Sequence, residues 1–97
     1  MIPANRLKIH HIQQHGSGTV IEILGMVDSS SCDCLLHFWS KHVENETGPL
    51  SIDMRQVESI DAASIAELCS LIRHRAARQQ ITRLIAPPQM LAHTLYK

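Results

Sequence analysis

Two segments near the N-terminus carry the hydrophobic pattern of β-strands. Residues 7–13 alternate apolar and polar side chains loosely, and residues 19–27 are rich in β-branched and apolar side chains. Residues 15–18, with the sequence His-Gly-Ser-Gly, are typical of a turn because glycine adopts positive φ angles at little cost. Two strands joined by so short a loop pair most simply as an antiparallel hairpin.

Two later segments show the 3.6-residue period of amphipathic helices. In the first, the apolar side chains form a single stripe at the spacing i, i+3, i+4, i+7 and i+11, made of Cys32, Leu35, Leu36, Trp39 and Val43. In the second, the same spacing is found in Ile65, Leu68, Cys69, Ile72 and Ala76. The first helix is expected to start near Ser30, which has Asp33 three residues on as in a capping box, and to end near Glu44. Phe38 lies off the stripe, where it could edge the core or contact a partner.

The remaining segments complete an alternating order of strands and helices. Residues 50–54 alternate with period two and predict a short strand, followed by a loop over residues 55–61. Residues 81–86 predict a further strand, two prolines then break the chain, and residues 89–96 predict a short last helix. The order β-β-α-β-α-β-α predicts one α/β domain over residues 1–97, with a mixed four-stranded sheet and helices packed mainly on one face.

Composition narrows the possible environments and partners. The 97 residues carry nine basic and nine acidic side chains, a net charge of zero, so the chain lacks the basic surface of a typical nucleic-acid-binding domain. The apolar runs are too short to span a bilayer, and the N-terminus lacks the apolar core of a signal peptide. We therefore expect a cytoplasmic protein without direct membrane insertion. Three cysteines are an odd number, which favours free thiols in a reducing compartment over a disulfide framework.

The sequence contains none of the usual motifs of catalysis or cofactor binding. A nucleophile elbow, a phosphate-binding loop and a dinucleotide-binding glycine motif are all missing from it, so we expect no enzymatic activity and no cofactor. Seven histidines and the Cys32-Asp33-Cys34 triplet raise the alternative of a metal- or ligand-binding protein. Residues two apart on a helix point about 200° apart, which disfavours a metal ion shared by the two thiols. The histidines would also become charged below about pH 6.5 and could act as a pH switch.

The middle of the chain resembles a known family. An apolar strand over residues 50–54 is followed by a loop with Val57 and Ile60, and then by Asp-Ala-Ala-Ser at residues 61–64, where an amphipathic helix opens. In this order the chain resembles the STAS family, the fold of bacterial anti-sigma-factor antagonists and of the cytosolic tails of sulfate transporters. In that family the helix opens with Asp-Ser-Ser-Gly. The likeness extends to a strand-to-helix junction upstream and to the last core strand downstream.

The chain differs from the family at one chemically important position. In the antagonists, the second Ser of Asp-Ser-Ser-Gly is phosphorylated, and the corresponding residue here is Ala63, preceded by Ala62. Alanine has no hydroxyl group, so the usual phosphate cannot be added there. Ser64 and Ser59 are nearby hydroxyl groups that could act as substitute acceptors, although a helix cap or a solvent-facing side chain explains each of them more simply.

The resemblance implies that the chain is a protein-binding regulatory module. It also implies that the partner is an anti-sigma factor of the kinase type or a related regulator. The surface implied for docking runs over Ser59, Asp61, Ala62, Ala63, Ser64 and Glu67, with help from residues 28–31. Asp61 is expected to cap the second helix. An alternative from the same family is a subunit of a membrane transporter, as in bacterial lipid-transport ATPase complexes. Apolar residues of the last helix also leave room for a homodimer.

Overall fold

The computed structural model describes the backbone of residues 7–14 and 18–95, together with their side chains except those of residues 11–14 and 32. In these ranges, strands and helices follow one another in the order that the sequence predicts. They are β1 (Lys8–Gln14), β2 (Gly18–Val27), α1 (Cys32–His42), β3 (Leu50–Ile60), α2 (Ala62–Ala77), β4 (Thr82–Ile85) and α3 (Gln89–Leu95). Within the described ranges, no helix is both long and apolar enough to cross a lipid bilayer.

The four strands form one mixed sheet in the spatial order β1-β2-β3-β4. β1 pairs antiparallel with β2, from Lys8 opposite Leu24 to Gln14 opposite Gly18, as the predicted hairpin requires. β2 and β3 pair in parallel, and so do β3 and β4, because a helix carries the chain back within each pair. The predicted mixed sheet is therefore confirmed, whereas residues 15–17 of the predicted turn lie outside the described residues.

A hydrophobic core lies between the helices and one face of the sheet. Along β2 the side chains alternate between buried and more exposed positions, so that Ile21 and Ile23 face the core. The other elements add Leu35, Trp39, Val43, Leu50, Ile52, Met54, Ile65, Leu68, Cys69, Ile72 and Leu91 to the same cluster. Burial of each large apolar side chain stabilises the fold by about 1.5–3 kcal/mol. All three helices contribute to this cluster, so they cover the same face of the sheet.

The first helix covers the core with a narrower stripe than its sequence pattern predicts. Leu35, Trp39 and Val43 are buried, but Leu36 is 37% exposed, so the predicted stripe is wrong at that residue. The buried side chains recur every four residues, and Leu36 lies about 100° round the helix from Leu35, which turns it toward solvent. Phe38 is half-buried and packs against the core, which is one of the two positions expected for it.

The largest correction concerns β3. The pattern predicts a strand that ends at Met54 and a loop over residues 55–61, but β3 continues to Ile60. It stays paired with the ten-residue strand β2 along its whole length, through two register shifts that each place one extra residue on β3. Such bulges break the period-two alternation of side chains, which is why the pattern alone predicts a loop.

The other boundaries differ from the predicted ones by one or two residues. α1 ends at His42 rather than near Glu44, and β4 is shorter than predicted by one residue at each end. α3 is described as far as Leu95, while Tyr96, the last residue of the predicted helix, lies outside the described residues. Helix and strand ends depend on cap geometry and final hydrogen bonds, which hydrophobic spacing does not encode.

A buried arginine near the end of α2 holds the loops at one end of the sheet. Arg75 is only 3% exposed. Its Nε donates to Thr82 Oγ1 at 2.9 Å, and its two Nη atoms donate to the carbonyl oxygens of Glu46 at 3.1 Å, Gly48 at 2.9 Å and Ile81 at 3.1 Å. Burial lowers the pKa of the guanidinium, which nevertheless stays protonated at neutral pH. Carbonyl oxygens thus replace water around the charge and tie the α1–β3 and α2–β4 loops together.

The start of β2 is joined to the same α1–β3 loop. The Thr19 N–H donates to the Pro49 carbonyl at 2.9 Å, and Thr19 Oγ1 donates to Glu46 Oε2 at 2.7 Å. Gly18 has a φ angle of +88°, and a Cβ atom there would collide with the Pro49 carbonyl oxygen. Only glycine lets the two segments approach so closely at this position.

Replacing Arg75 by methionine should retain much of the side chain's packing but remove its hydrogen bonds to three carbonyl oxygens, of which that of Ile81 keeps the Leu50 N–H as a donor. We expect the free energy of unfolding to fall by about 2–4 kcal/mol, measured by chemical denaturation followed with circular dichroism. Arg78→Met is the matched control, because Arg78 is the exposed C-cap residue of the same helix and its loss should change stability by less than about 0.5 kcal/mol. Equal losses in the two variants would contradict this role for Arg75.

Candidate functional site

The β2–α1 and β3–α2 junctions lie side by side at the carboxyl end of the two central strands. They do so because the carboxyl ends of adjacent parallel strands lie side by side. The Asp61 N–H donates to the Val27 carbonyl oxygen at 3.1 Å, and Asp61 Oδ2 accepts a hydrogen bond from the Ser29 N–H at 2.9 Å. The residues predicted from the two junctions are therefore brought together, and one aspartate connects them.

Asp61 also begins the second helix. Its backbone is extended, at φ −88° and ψ 170°, and its Oδ1 accepts a hydrogen bond from the Ser64 N–H at 2.8 Å, so the predicted N-cap is confirmed. The hydrogen bonds that this carboxylate accepts, first from Ser64 and then from Ser29, lower the pKa of Asp61. The side chain thus satisfies amide groups of both junctions with its two oxygens.

The β2–α1 junction is a tight turn built on a second aspartate. Asp28 Oδ1 accepts hydrogen bonds from the Ser30 N–H at 3.0 Å, from Ser30 Oγ at 2.6 Å and from the Ser31 N–H at 3.2 Å. Bonds from Ser30 are the main reason that the pKa of Asp28 is lowered. The predicted start of α1 near Ser30 shifts by one residue, because the N-cap is Ser31. The Ser31 hydroxyl bonds back to Asp28 instead of capping a helical amide.

The first turn of α2 presents small side chains to solvent. Ala62 and Ala63 are exposed, Ser59 before them is exposed, and Glu67 is half-exposed one turn further on. Ser64 differs from these four residues because its side chain is fully buried. We call Ser59, Asp61, Ala62, Ala63 and Glu67, together with residues 28–31, the junction surface. Hydrogen bonds to Asp28 and Asp61 fix its backbone, and the exposed side chains of Ser59, Ala62 and Ala63 are small.

A charged group that the sequence pattern did not single out lies on the opposite face of the sheet. The Asp53 carboxylate is 6% exposed, and Arg55 binds it through Nη2 at 2.6 Å and through Nε at 3.0 and 3.1 Å. This guanidinium lowers the pKa of Asp53. Glu22, opposite Asp53 on β2, pairs with His10 at 3.2 Å. The Asp53 carboxylate is thus paired with Arg55, two residues away in sequence.

The histidines do not gather into a metal site in the part of the chain that the structure describes. Among those residues, no three His, Cys, Asp or Glu side chains lie where they could hold one ion. Cys34 is exposed, and Cys69 is buried, which raises the pKa of its thiol. His11 and His15 lie outside the described side chains. The described geometry therefore gives no support to the metal-binding alternative.

Comparison with known proteins gives one informative result. A family model described as "Mlab, STAS domain" matches residues 10–96, a range that contains both junctions and nearly every element of the fold. No curated protein matches the chain. The likeness drawn from the strand, loop and helix motif is confirmed at the level of the family.

Replacing Asp61 by alanine should destabilise the domain at neutral pH, because the Ser64 and Ser29 amides lose their acceptor. We expect a drop of several degrees in Tm, measured by thermal unfolding. The folded-state pKa of Asp61 is lowered, so its contribution is complete above the unfolded pKa and disappears as pH falls through the folded pKa. The difference in Tm between the variant and the wild type should therefore become smaller below about pH 4. Glu67→Ala is the control, and a gap of constant size at acid pH would contradict the role of the carboxylate.

Proposed function

The chain belongs to the STAS domain family, and from this membership we propose that it is a protein-binding regulatory module without enzymatic activity of its own. STAS domains are in general non-enzymatic and mediate protein–protein interactions. The proposed partner is an anti-sigma factor of the kinase type or a related regulator in the cytoplasm. The observation that carries the proposal is the exposed first turn of α2, held in place by Asp61.

The junction surface suits docking because it is already ordered. Asp61 fixes α2 to the β2–α1 junction, and Asp28 fixes the turn within that junction. A partner that binds such a surface orders few additional side chains, so little conformational entropy opposes association. Alanines at positions 62 and 63 add almost no side-chain entropy of their own. These features support recognition by backbone contact and shape.

We further propose that this docking is not switched by phosphate. Phosphate added at a helix start brings about −1.5 to −2 charges, which would repel a partner seated there. Ala63 offers no hydroxyl for this modification. The Ser64 side chain is fully buried, so a kinase could reach it only after the helix start had opened. In residues 59–64, the exposed hydroxyl is that of Ser59, while Ser29 and Ser30 are exposed in the neighbouring β2–α1 junction.

The missing hydroxyl also favours a second candidate, a subunit of a membrane transporter. STAS domains occur in transporters as well as in anti-sigma antagonists. A subunit that stays bound to its complex needs no phosphate switch, which agrees with Ala63 and with the buried Ser64. The two candidates use the same junction surface and differ in the partner. Purification of the tagged full chain separates them: it recovers a kinase-like regulator in one case and a transport ATPase in the other.

Replacing Ala63 by glutamate should abolish docking without harming the fold. A carboxylate near a helix N-terminus is favourable for the helix, but within an interface it is a desolvated, unpaired charge. We expect recovery of the partner with the tagged full chain to fall at least about tenfold, measured by quantitative mass spectrometry. Ala77→Glu, an exposed alanine at the far end of α2, is the matched control and should bind normally. Unchanged recovery with Ala63→Glu would refute the junction surface as the docking site.

Incubation of the full chain with a kinase-type anti-sigma factor and ATP should leave residues 59–67 without phosphate. Mass spectrometry of proteolytic peptides measures this directly. Ala63→Ser is the matched variant, because it restores an exposed hydroxyl at the family's acceptor position and should gain phosphate. High occupancy on Ser59 or Ser64 in the unmodified chain would contradict the proposal of unswitched docking.

A further inference from the structure

The two edges of the sheet are built differently. β4 is four residues long and is followed by Pro87 and Pro88, which limits further strand pairing. β1 has seven residues, no proline and an uninterrupted register with β2, and its single lysine stands at one end. Within the described residues, the sheet order leaves the other side of β1 without a strand. Long edges of this kind are usually blunted or covered.

A groove runs beside this edge, between β1 and α1. Its volume is about 450 Å³, and β1 and the residue before it contribute the apolar side chains of Ile9 and Leu7. The α1 side is the stripe Cys34, His37, Phe38 and Lys41, at the spacing i, i+3, i+4 and i+7. Phe38 is half-buried, and its ring centroid lies 4.6 Å from that of His42. The groove therefore has an apolar floor and a rim of exposed polar side chains.

The rim of the groove carries one acidic and one basic side chain, at opposite ends of α1. Asp33 stands at the N-terminal end of the groove, and Lys41 stands at the C-terminal end. Both side chains are exposed. If two copies of α1 run antiparallel about a two-fold axis near His37, Asp33 of each copy faces Lys41 of the other. A parallel arrangement would instead place like charges together, so the rim is complementary to itself in one orientation only.

We propose that a second copy of this chain covers this face. β1 pairs antiparallel with its counterpart, which extends the sheet across the two-fold axis, and α1 packs beside its counterpart so that the two grooves close on each other. The same two-fold axis relates both pairs of elements, as an isologous interface requires. The net charge of zero means that no overall repulsion opposes self-association.

The dimer would leave the docking site free. The junction surface is formed by the first turn of α2 and by residues 28–31, whereas the proposed interface uses β1 and residues 33–41 of α1. Two copies would then present two junction surfaces at once. Because tethered sites bind a multivalent partner at high effective concentration, the dimer would strengthen binding to any partner that is itself paired.

Charge reversal tests the interface. Sedimentation equilibrium of the wild-type chain should show a concentration-dependent dimer of the 10.9-kDa protomer. Asp33→Lys and Lys41→Glu should each raise the dimer dissociation constant about tenfold, because each contact occurs twice in a two-fold dimer. The double variant D33K/K41E should return to within about threefold of wild type. Within one chain the two residues are about 12 Å apart along α1, so direct pairing inside the protomer cannot explain this recovery.

Two controls complete the test. Arg78→Glu changes the net charge as much as Lys41→Glu does, but Arg78 is the C-cap residue of α2, so the dimer should stay intact. His37→Cys, with Cys32 and Cys34 replaced by serine, should form a disulfide-linked dimer on oxidation, and His74→Cys in the same background should not. A wild-type chain that stays monomeric, single reversals without effect, or a different protein displaced from this face by Lys41→Glu would each overturn the proposal.

Discussion

The Asp61 carboxylate accepts hydrogen bonds from two different elements, and the position of the junction surface depends on both of them. One oxygen accepts a hydrogen bond from the Ser64 amide in the first turn of α2, and the other accepts one from the Ser29 amide in the β2–α1 junction. Hydrophobic packing fixes how far α2 lies from the sheet, but it leaves the helix free to slide or rotate slightly. Directional hydrogen bonds to a single planar group remove that freedom. The exposed alanines that follow are therefore presented at a defined height and angle.

The other end of α2 is fixed in a comparable way. Arg75 binds three backbone carbonyls and the Thr82 hydroxyl, which anchors the loops before β3 and β4. An anionic side chain at the start of a helix and a cationic one near its end also match the helix dipole. Between these two anchors, α2 contributes Ile65, Leu68, Cys69 and Ile72 to the core. The helix thus connects the loops that Arg75 anchors to the junction surface.

The start of α2 is held in a fixed position and has no hydroxyl group at residue 63. In a module that is switched by phosphate, the acceptor must be accessible at the same surface that docks. Here the accessible position carries Ala63, while the hydroxyl next to it, Ser64, points into the protein and is fully buried. The exposed part of this helix start therefore consists of backbone groups and methyl side chains.

Local sequence determined the elements whose side chains repeat regularly: the order of strands and helices, the stripe of α2 from Ile65 to Ile72 and the Asp61 cap follow from spacing and from one capping residue. The predicted stripe is wrong only at its last residue, Ala76, which is exposed near the end of the helix. Membership of the STAS family likewise follows from the strand, loop and helix motif around residues 50–64. Tertiary structure decided the rest. The exposure of Leu36 depends on where α1 sits over the sheet, and the length of β3 depends on hydrogen bonds to β2 that bulges maintain. The burial of Arg75 depends on segments far apart in the chain, and so does the position of β1, which has a strand on one side only among the described residues. A backbone carbonyl or a neighbouring strand leaves no trace in local hydrophobic spacing.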